Sequence, residues 1–428
     1  MNSKEAKKSL IAASIGNALE WYDFGLYGFL ATTIQKLFFP FQTTSHGIFS
    51  VFVIFAVGLF MRPLGGLIFG HIGDKIGRKT ALIASIATMA IPTFLIGLLP
   101  TYASAGITAT YLLIATRLLQ GLAVGGEMIG AMIFLTEHAP QEKRGVSSCL
   151  VYSVGSLGGL LGAMAGVLAH TFFTEEELLS GGWRWPFLVG ILIGGIGLYI
   201  RLKIKETPLF IKLQNNNNTA IKPFREAIQR HLKEIIIIFL LISFQATGFY
   251  LPFVYLTTWL TENAHFSSRN ALLLNTFGIF LLTPLILGFA ALSDKIGRRK
   301  ILLTSTLCIC ALAYPLFWLL SFIAKSSLPF AYSFIPVSLF SLLTAAFQGP
   351  LAATLTELLT TKNRYMSLVI GYNTSAALFG GLTPLLSIYL VSLMHIPEAP
   401  SFLLIFTGLI AFFTILFFVK ETFKKQIE

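Results

Sequence analysis

Charged side chains are scarce in this chain. Asp, Glu, Lys and Arg make up 12% of its 428 residues, where soluble globular proteins carry about 25%. A soluble fold of this length needs more polar surface than that supply covers. Cysteine is nearly absent. Cys149, Cys308 and Cys310 all fall in apolar stretches and read as buried small hydrophobes, with no disulfide framework. There is no Gly-rich phosphate loop ending in Lys-Ser/Thr, no His-Glu-x-x-His and no Gly-x-Ser-x-Gly. An enzyme, a cofactor and a metal site are therefore not expected. Any work the chain does against a gradient would draw on an ion gradient rather than on ATP.

What the chain has in abundance is uninterrupted apolar sequence. Thr80–Thr116, Gly145–Thr174, Ile235–Thr261, Asn270–Ser293, Ile301–Ala324, Ser326–Thr356, Tyr365–Pro397 and Ala399–Val419 contain no Asp, Glu, Lys or Arg. A spanning helix needs about 20 apolar residues. None of these runs alternates as the strands of a membrane barrel do. The expectation is an all-α membrane protein with twelve spans, near 9–34, 46–71, 80–99, 106–136, 145–172, 184–203, 232–260, 270–292, 300–322, 328–357, 365–393 and 399–419. Glu20 and Asp23 inside the first run mark it as a span rather than a signal peptide.

Of the 31 Lys and Arg, 25 fall on one side of this topology and 4 on the other. The positive-inside rule then puts both termini in the cytoplasm of a multi-pass plasma-membrane protein. It also accounts for most of the net charge of +12 without nucleic acid as a partner. The lipid bilayer is the expected surrounding, and a monomer the expected state.

The chain repeats itself. Asp74-Lys75-Ile76-Gly77-Arg78 returns as Asp294-Lys295-Ile296-Gly297-Arg298, and Leu135-Thr136-Glu137 as Leu355-Thr356-Glu357. Arg144 matches Arg364, and Lys205-Glu206-Thr207 matches Lys420-Glu421-Thr422. Two parallel six-helix bundles follow, 1–203 and 232–428, joined by a cytoplasmic linker at 204–231. Parallel repeats of this kind mark transporters whose site lies between the repeats. Asp74, Arg78, Glu137 and Arg144 in one half, and Asp294, Arg298, Glu357 and Arg364 in the other, are candidates for a cytoplasmic gate. Arg78 is expected to reach Glu137, and Arg298 to reach Glu357.

The paired loops resemble those of the major facilitator superfamily. Gly16-Asn17 with Glu20-Trp21-Tyr22-Asp23-Phe24-Gly25, Arg62-Pro63 with Gly65-Gly66, and Arg117 with Gln120-Gly121 and Gly125-Gly126-Glu127 resemble its metabolite:H⁺ symporter family. Gly182-Trp183-Arg184-Trp185-Pro186-Phe187 and Glu206-Thr207-Pro208 resemble that family too, and within it the tract from Gly25 to Pro40 is most similar to the proline/betaine branch. That resemblance implies proton-coupled symport of a small zwitterion or carboxylate by alternating access. An organic-acid symporter for 2-oxoglutarate-like or citrate-like substrates is the alternative, and a non-transporting sensor a more distant one. The chain stops nine residues after Val419, so the long C-terminal coiled coil frequent in that branch is not expected.

Charges inside spans point the same way. Each costs at least about 2.5 kcal/mol at the bilayer centre unless paired or wet. Glu20, Asp23 and Glu127 are the proton-coupling candidates, since a carboxylate in low dielectric is easily protonated. Asn17 and Tyr27 continue the Glu20 side of the first helix. Arg62 and Arg117 suit a substrate carboxylate, and Gln120 shares the Arg117 face. All are expected to line one cavity of the first half. In the second half Tyr250 and Trp259, with Tyr255 and Gln245 nearby, are candidates for boxing a quaternary ammonium. Tyr372 and Asn373 are weaker ones. Gly155, Gly158, Gly159 and Gly162 read as a close-packing face.

Overall fold

A computed structural model describes residues 3–40, 57–326 and 328–426, with side chains from residue 13 onward. Every regular element among them is helical. The principal helices are α1 (Ser3–Phe29), α2 (Arg62–Lys75), α3 (Arg78–Leu98), α4 (Ile107–His138), α5 (Arg144–Phe172) and α6 (Arg184–Lys203). Then come α7 (Pro223–Tyr250), α8 (Ser268–Ile296), α9 (Arg298–Lys325), α10 (Phe334–Glu357), α11 (Arg364–Ser375) and α12 (Pro400–Phe418). From α3 onward each stands in a helical stretch long and apolar enough to cross a membrane. The first part of the second expected span, up to residue 56, lies outside the described residues.

Most boundaries fall close to the charge-free runs, because lipid requires the backbone to satisfy itself within each helix. Three departures are informative. The first span ends at Phe29, and a short helix, Ala31–Phe38, follows it. The stretch 204–231 is not a plain loop. Thr207 caps a helix over Pro208–Asn215, its hydroxyl accepting from the Phe210 N–H. α7 starts at Pro223 and bends at His231. The first piece is short and amphipathic and the start of the second is polar, so hydropathy passes over both. Finally, Cys308 is exposed on the flank of α9, and only Cys149 is buried. An apolar run does not say which face of its helix looks outward.

Two compact units emerge. One is Met1–His138, Val154–Glu226 and Thr361–Val369; the other is Ala139–Ser153, Ala227–Thr360 and Ile370–Glu428. Each holds most of one sequence half plus one short helix start from the other half. In the first unit α1 lies against α5 on small residues. A Cβ at Gly158 would meet the Ala18 carbonyl at 2.4 Å, and one at Gly162 the Tyr22 carbonyl at 2.1 Å. Gly155 abuts the Trp21 ring, and Gly159 packs against α1 with the Trp21 carbonyl 3.9 Å from where its Cβ would stand and its own backbone close to Gly25. Aromatic packing closes one end, with Phe38 edge-on to Trp183 at 5.6 Å and the Tyr22 hydroxyl on the Pro186 carbonyl at 2.7 Å.

In the second unit α7 continues through a π-helical turn at Leu251–Tyr255 into Leu256–Glu262. α11 does the same through Ala376–Gly380 into Gly381–Met394. Pro252 sits in the first of these turns, where its missing N–H opens the ladder.

Candidate functional site

The buried charges of the first unit form two sets rather than one. In the first set Asp23 on α1 accepts from Arg117 Nη1 at 2.5 Å and from Gln120 Nε2 at 2.9 Å, both on α4. Thr93 on α3 joins them, accepting from Gln120 at 2.8 Å and donating to Asp23 at 3.3 Å. The Arg117 guanidinium lies 3.6 Å over the Tyr27 ring. Tyr27 therefore supports Arg117 with its face, worth about 0.5–2 kcal/mol. Arg117 Nε and Nη2 and Gln120 Oε1 are buried without a hydrogen-bond partner. Nε and Nη2 are one edge of the planar fork, the edge that grips a carboxylate with two parallel bonds.

The second set is one Gly-lined level along. Arg201, fully buried near the end of α6, donates to Glu127 through Nη1 at 2.8 Å and also through Nη2. It further holds the carbonyls of Leu82 and Ala13. Ser85 donates to the same carboxylate. α1 reaches this level only because residue 16 is glycine, since a Cβ there would fall 2.1 Å from Glu127 Oε1. Sequence reasoning missed Arg201, which stands among the lysines of the helix end and passes for a positive-inside anchor. The signal that could have found it is Glu127 itself: a carboxylate that deep requires a cation, and Arg117 is already held by Asp23.

Glu20 and Arg62 belong to neither set. Glu20 is 1% exposed, and both its carboxyl oxygens lack a hydrogen-bond partner. Arg62 is buried at the start of α2, with Nε unpartnered and no ion pair among the described residues. Asn17, on α1 with Glu20, is fully buried, its amide nitrogen 3.0 Å from where a Cβ at Gly155 would stand.

At the ends that carry the repeated loops, carboxylates cap helices. Asp74 accepts from the backbone N–H groups of Tyr365 and Met366 at 3.2 and 2.8 Å, the first turn of α11. Asp294 does likewise for Gly145 and Val146 of α5, both at 2.9 Å. Negative charge there complements the helix dipole. Arg78 pairs with Asp74 at 2.8 Å and bonds the Thr361 carbonyl at 2.5 Å. It lies 3.6 Å from Glu137. Glu137 is held more closely by Arg364 at 2.7 Å and by the Thr207 hydroxyl at 2.6 Å. Arg298 grips Glu357 with two bonds, 2.7 and 2.9 Å, and Asp294 with a third at 3.0 Å. Arg144 instead donates to the Lys425 carbonyl at 2.8 Å. Tyr365, absent from the sequence candidates, fits its ring against Gly73 and donates its hydroxyl to the Gly126 carbonyl at 2.7 Å.

Two further carboxylates cap α3 and α9. Glu206 accepts from Lys79 N–H at 3.0 Å and Thr207 N–H at 2.8 Å. Burial pushes its carboxyl above the ordinary glutamate value, against those bonds. Glu421 accepts from the N–H groups of Arg298, Arg299 and Phe423 at 2.9–3.1 Å. Burial raises it too, but here the backbone bonds win and hold the carboxylate below its ordinary value.

The second unit's aromatic candidates are anchored. Trp259 is fully buried, donating to the Pro397 carbonyl at 2.6 Å with its ring edge-on to Phe317 at 4.9 Å. Tyr255 is buried beside it on the π-helical turn. Tyr250 is half-buried against Gly380. A small cavity of this unit is lined by Gln245, Gln348, Thr344, Phe244 and Phe347. The Tyr372 hydroxyl reaches Gln245 at 3.4 Å. Asn373 is buried nearby on the same helix. Among the described residues no group of three His, Cys, Asp or Glu converges as a metal site requires.

A family model described as "Sugar (and other) transporter" matches the chain twice, over residues 8–229 and 211–428. A proline/betaine transporter of Salmonella typhimurium is 34% identical over 435 residues, covering 99% of this chain and 85% of its own length. A glycine betaine/proline/ectoine/pipecolic acid transporter of Dickeya dadantii matches with the same identity and coverage. Among solved structures, the proton:xylose symporter XylE bound to 6-bromo-6-deoxy-D-glucose superposes with a TM-score of 0.79 at 17% identity, covering 100% of this chain and 98% of that one. A partially occluded inward-open form of XylE from E. coli gives 0.71 at 17% identity, over 99% and 100% of the two chains.

Proposed function

The chain belongs to the sugar (and other) transporter family of the major facilitator superfamily, and from that premise we propose that it imports a small zwitterion of the proline/betaine kind together with a proton. It is a membrane transporter, not an enzyme. In this reading both termini face the cytoplasm, and a single chain suffices.

One observation carries the substrate class. Arg117 is fixed from one side by Asp23 and from below by Tyr27, while its Nε–Nη2 edge is buried and unpartnered. A positioned guanidinium edge in low dielectric selects a carboxylate and costs little reorganisation on binding. Asp23 beside it supplies negative charge for the cationic end of a zwitterion. The relatives' names agree with this class of substrate. An organic dicarboxylate would call for a second free guanidinium in the other half. Arg269 stands only at the start of α8, and Arg364, at the start of α11, is held by Glu137.

The two Asp–Arg–Glu clusters then serve as the cytoplasmic gate. In a rocking mechanism their pairings form and break as the halves alternate.

Uptake by proteoliposomes from a panel of proline, betaine, 2-oxoglutarate and citrate tests the reading. Proline or betaine should accumulate under an inward proton gradient, and a protonophore should abolish accumulation. Accumulation driven by sodium alone, or of the dicarboxylates alone, overturns it. Arg117→Lys keeps the charge but loses the planar edge. Apparent affinity should fall at least tenfold, about 1.4 kcal/mol, with the folded fraction unchanged. Unaltered affinity would move the carboxylate anchor to Arg62.

A further inference from the structure

Resting on the proton-coupled reading above, we infer that Glu20 alone of the three buried carboxylates exchanges the transported proton, and that Arg62 converts its protonation state into affinity for the substrate's carboxylate.

The three acids sit in unlike surroundings. Asp23 has Arg117, Gln120 and Thr93 on it. Glu127 has both forks of Arg201 and the Ser85 hydroxyl. Each is an anion with its cation in contact, and protonating either would leave a buried guanidinium uncompensated. Breaking such a pair is strongly disfavoured, because it strands one charge in low dielectric. Glu20 is as deeply buried but has no hydrogen-bond donor on either oxygen. A bare carboxylate in such a place is strongly disfavoured, and the neutral acid is not.

Also buried in this unit, besides the Asp23 pair, are Arg62 at the start of α2, opposite to Glu20 in sign, and Glu127 on α4, alike in sign. The other arginines on the helices packed against α1 are taken: Arg117 on α4 by Asp23, and Arg201 on α6 by Glu127. α3 presents Arg78 and Lys79 only in its first turn. α5 carries no charged side chain between Gly145 and Ala169. Arg62 has no ion pair among the described residues.

This inventory yields a coupling rule. With all groups ionised, Glu20, Asp23 and Glu127 balance Arg62, Arg117 and Arg201. Ionised Glu20 then completes that balance. A proton on Glu20 leaves the polar core with one net positive charge, located at Arg62. That charge favours the substrate's carboxylate, so proton and substrate bind better together than apart. When the core opens to the cytoplasm and substrate leaves, Arg62 again attracts the Glu20 carboxylate, and the proton departs to the inside water. One proton moves with each zwitterion, and no other group changes state.

Glu20→Gln mimics the protonated side chain, so it separates binding from coupling. Uphill accumulation under a proton gradient should be lost. Exchange of internal for external substrate should persist, and its substrate affinity should no longer vary with pH. In the native protein affinity should fall as pH rises, by about tenfold for each pH unit above the point where Glu20 ionises. Asp23→Asn and Glu127→Gln should weaken binding or folding while any remaining uptake keeps its pH dependence. Proton-driven accumulation by Glu20→Gln overturns the inference, and so does loss of the pH dependence in Asp23→Asn with Glu20 intact. Should Glu20→Gln fail to fold, pH-dependent affinity in the native protein and its retention in Asp23→Asn still decide between them. Failure of the native protein to transport any zwitterion with protons would instead strike the functional reading on which this rests.

Discussion

The cluster around Glu137 and the cluster around Glu357 descend from one repeated pattern and are wired differently. In the first, Glu137 is shared between Arg364 at 2.7 Å, Thr207 at 2.6 Å and a more distant Arg78. In the second, Arg298 saturates Glu357 with a two-bond grip. Arg144, the counterpart of Arg364, is left to a backbone carbonyl and is only half-buried. The hydroxyl of Thr422, the counterpart of Thr207, is buried without a partner. One motif thus supports two networks. A carboxylate has room for a limited number of donors, and the arginine that arrives bidentate excludes the next. The first network draws in the residue-361 segment, whereas the second leans on the C-terminal tail through Lys425.

The largest expected consequence lies between the two exchanged arginines. Arg364→Ala leaves Glu137 buried with Arg78 at 3.6 Å as its nearest cation, a loss of about 3–5 kcal/mol. Arg144→Ala removes one hydrogen bond from a half-exposed side chain, about 0.5–1.5 kcal/mol. Thermal unfolding in detergent should rank them in that order. Equal losses would mean that the two clusters are equivalent in solution.

A smaller effect is expected on the gate. Asp74→Asn and Asp294→Asn each keep the shape of a helix cap but lose its charge. If both clusters hold the cytoplasmic side closed, each substitution should bias the protein toward the inward-open form and slow turnover, with substrate affinity little changed. A tenfold population shift needs about 1.4 kcal/mol. Asp74, whose side chain is wholly buried, should show the larger shift. Cysteine labelling from either side of the membrane reads the bias, and wild-type labelling in both variants would reduce the loops to topological anchors.

The smallest effect is one of pH, and it separates the caps of α3 and α9. Glu421 is held below its ordinary value, so its contribution is complete at neutral pH and is lost as pH falls through the folded-state value. Glu206 is raised, so its charged form is the disfavoured one and acid relieves rather than removes a cost. Mild acidification toward pH 4 should therefore speed hydrogen exchange at the amides of Arg298 and Arg299 more than at Lys79. The reverse order would show that burial, not the backbone donors, governs both.

Much of this was legible from residues alone. Twelve apolar stretches, their orientation bias and the Asp-Lys-Ile-Gly-Arg repeat announce the helices and the doubling, because lipid tolerates few alternatives to a helix. Helical spacing likewise put Arg117 and Gln120 on one face of the fourth helix, though their contact with Asp23 is an interhelical one that spacing does not give. The division of the buried charges into two sets was not. Arg201 is separated from Glu127 by 74 positions, and no local pattern distinguishes it from its neighbouring lysines. Nor could sequence tell that Tyr27 lies beneath Arg117, or that Trp259 spends its N–H on a loop carbonyl.

By itself the sequence determined where the chain crosses lipid and which polar side chains had to be accommodated there, since those follow from counting residues against bilayer thickness and desolvation. Only the tertiary structure decided which acid meets which arginine. Long guanidinium side chains reach several candidate partners, and the choice among them turns on packing distances of a single Cβ, as at Gly16. That choice leaves Glu20 without a hydrogen-bond donor.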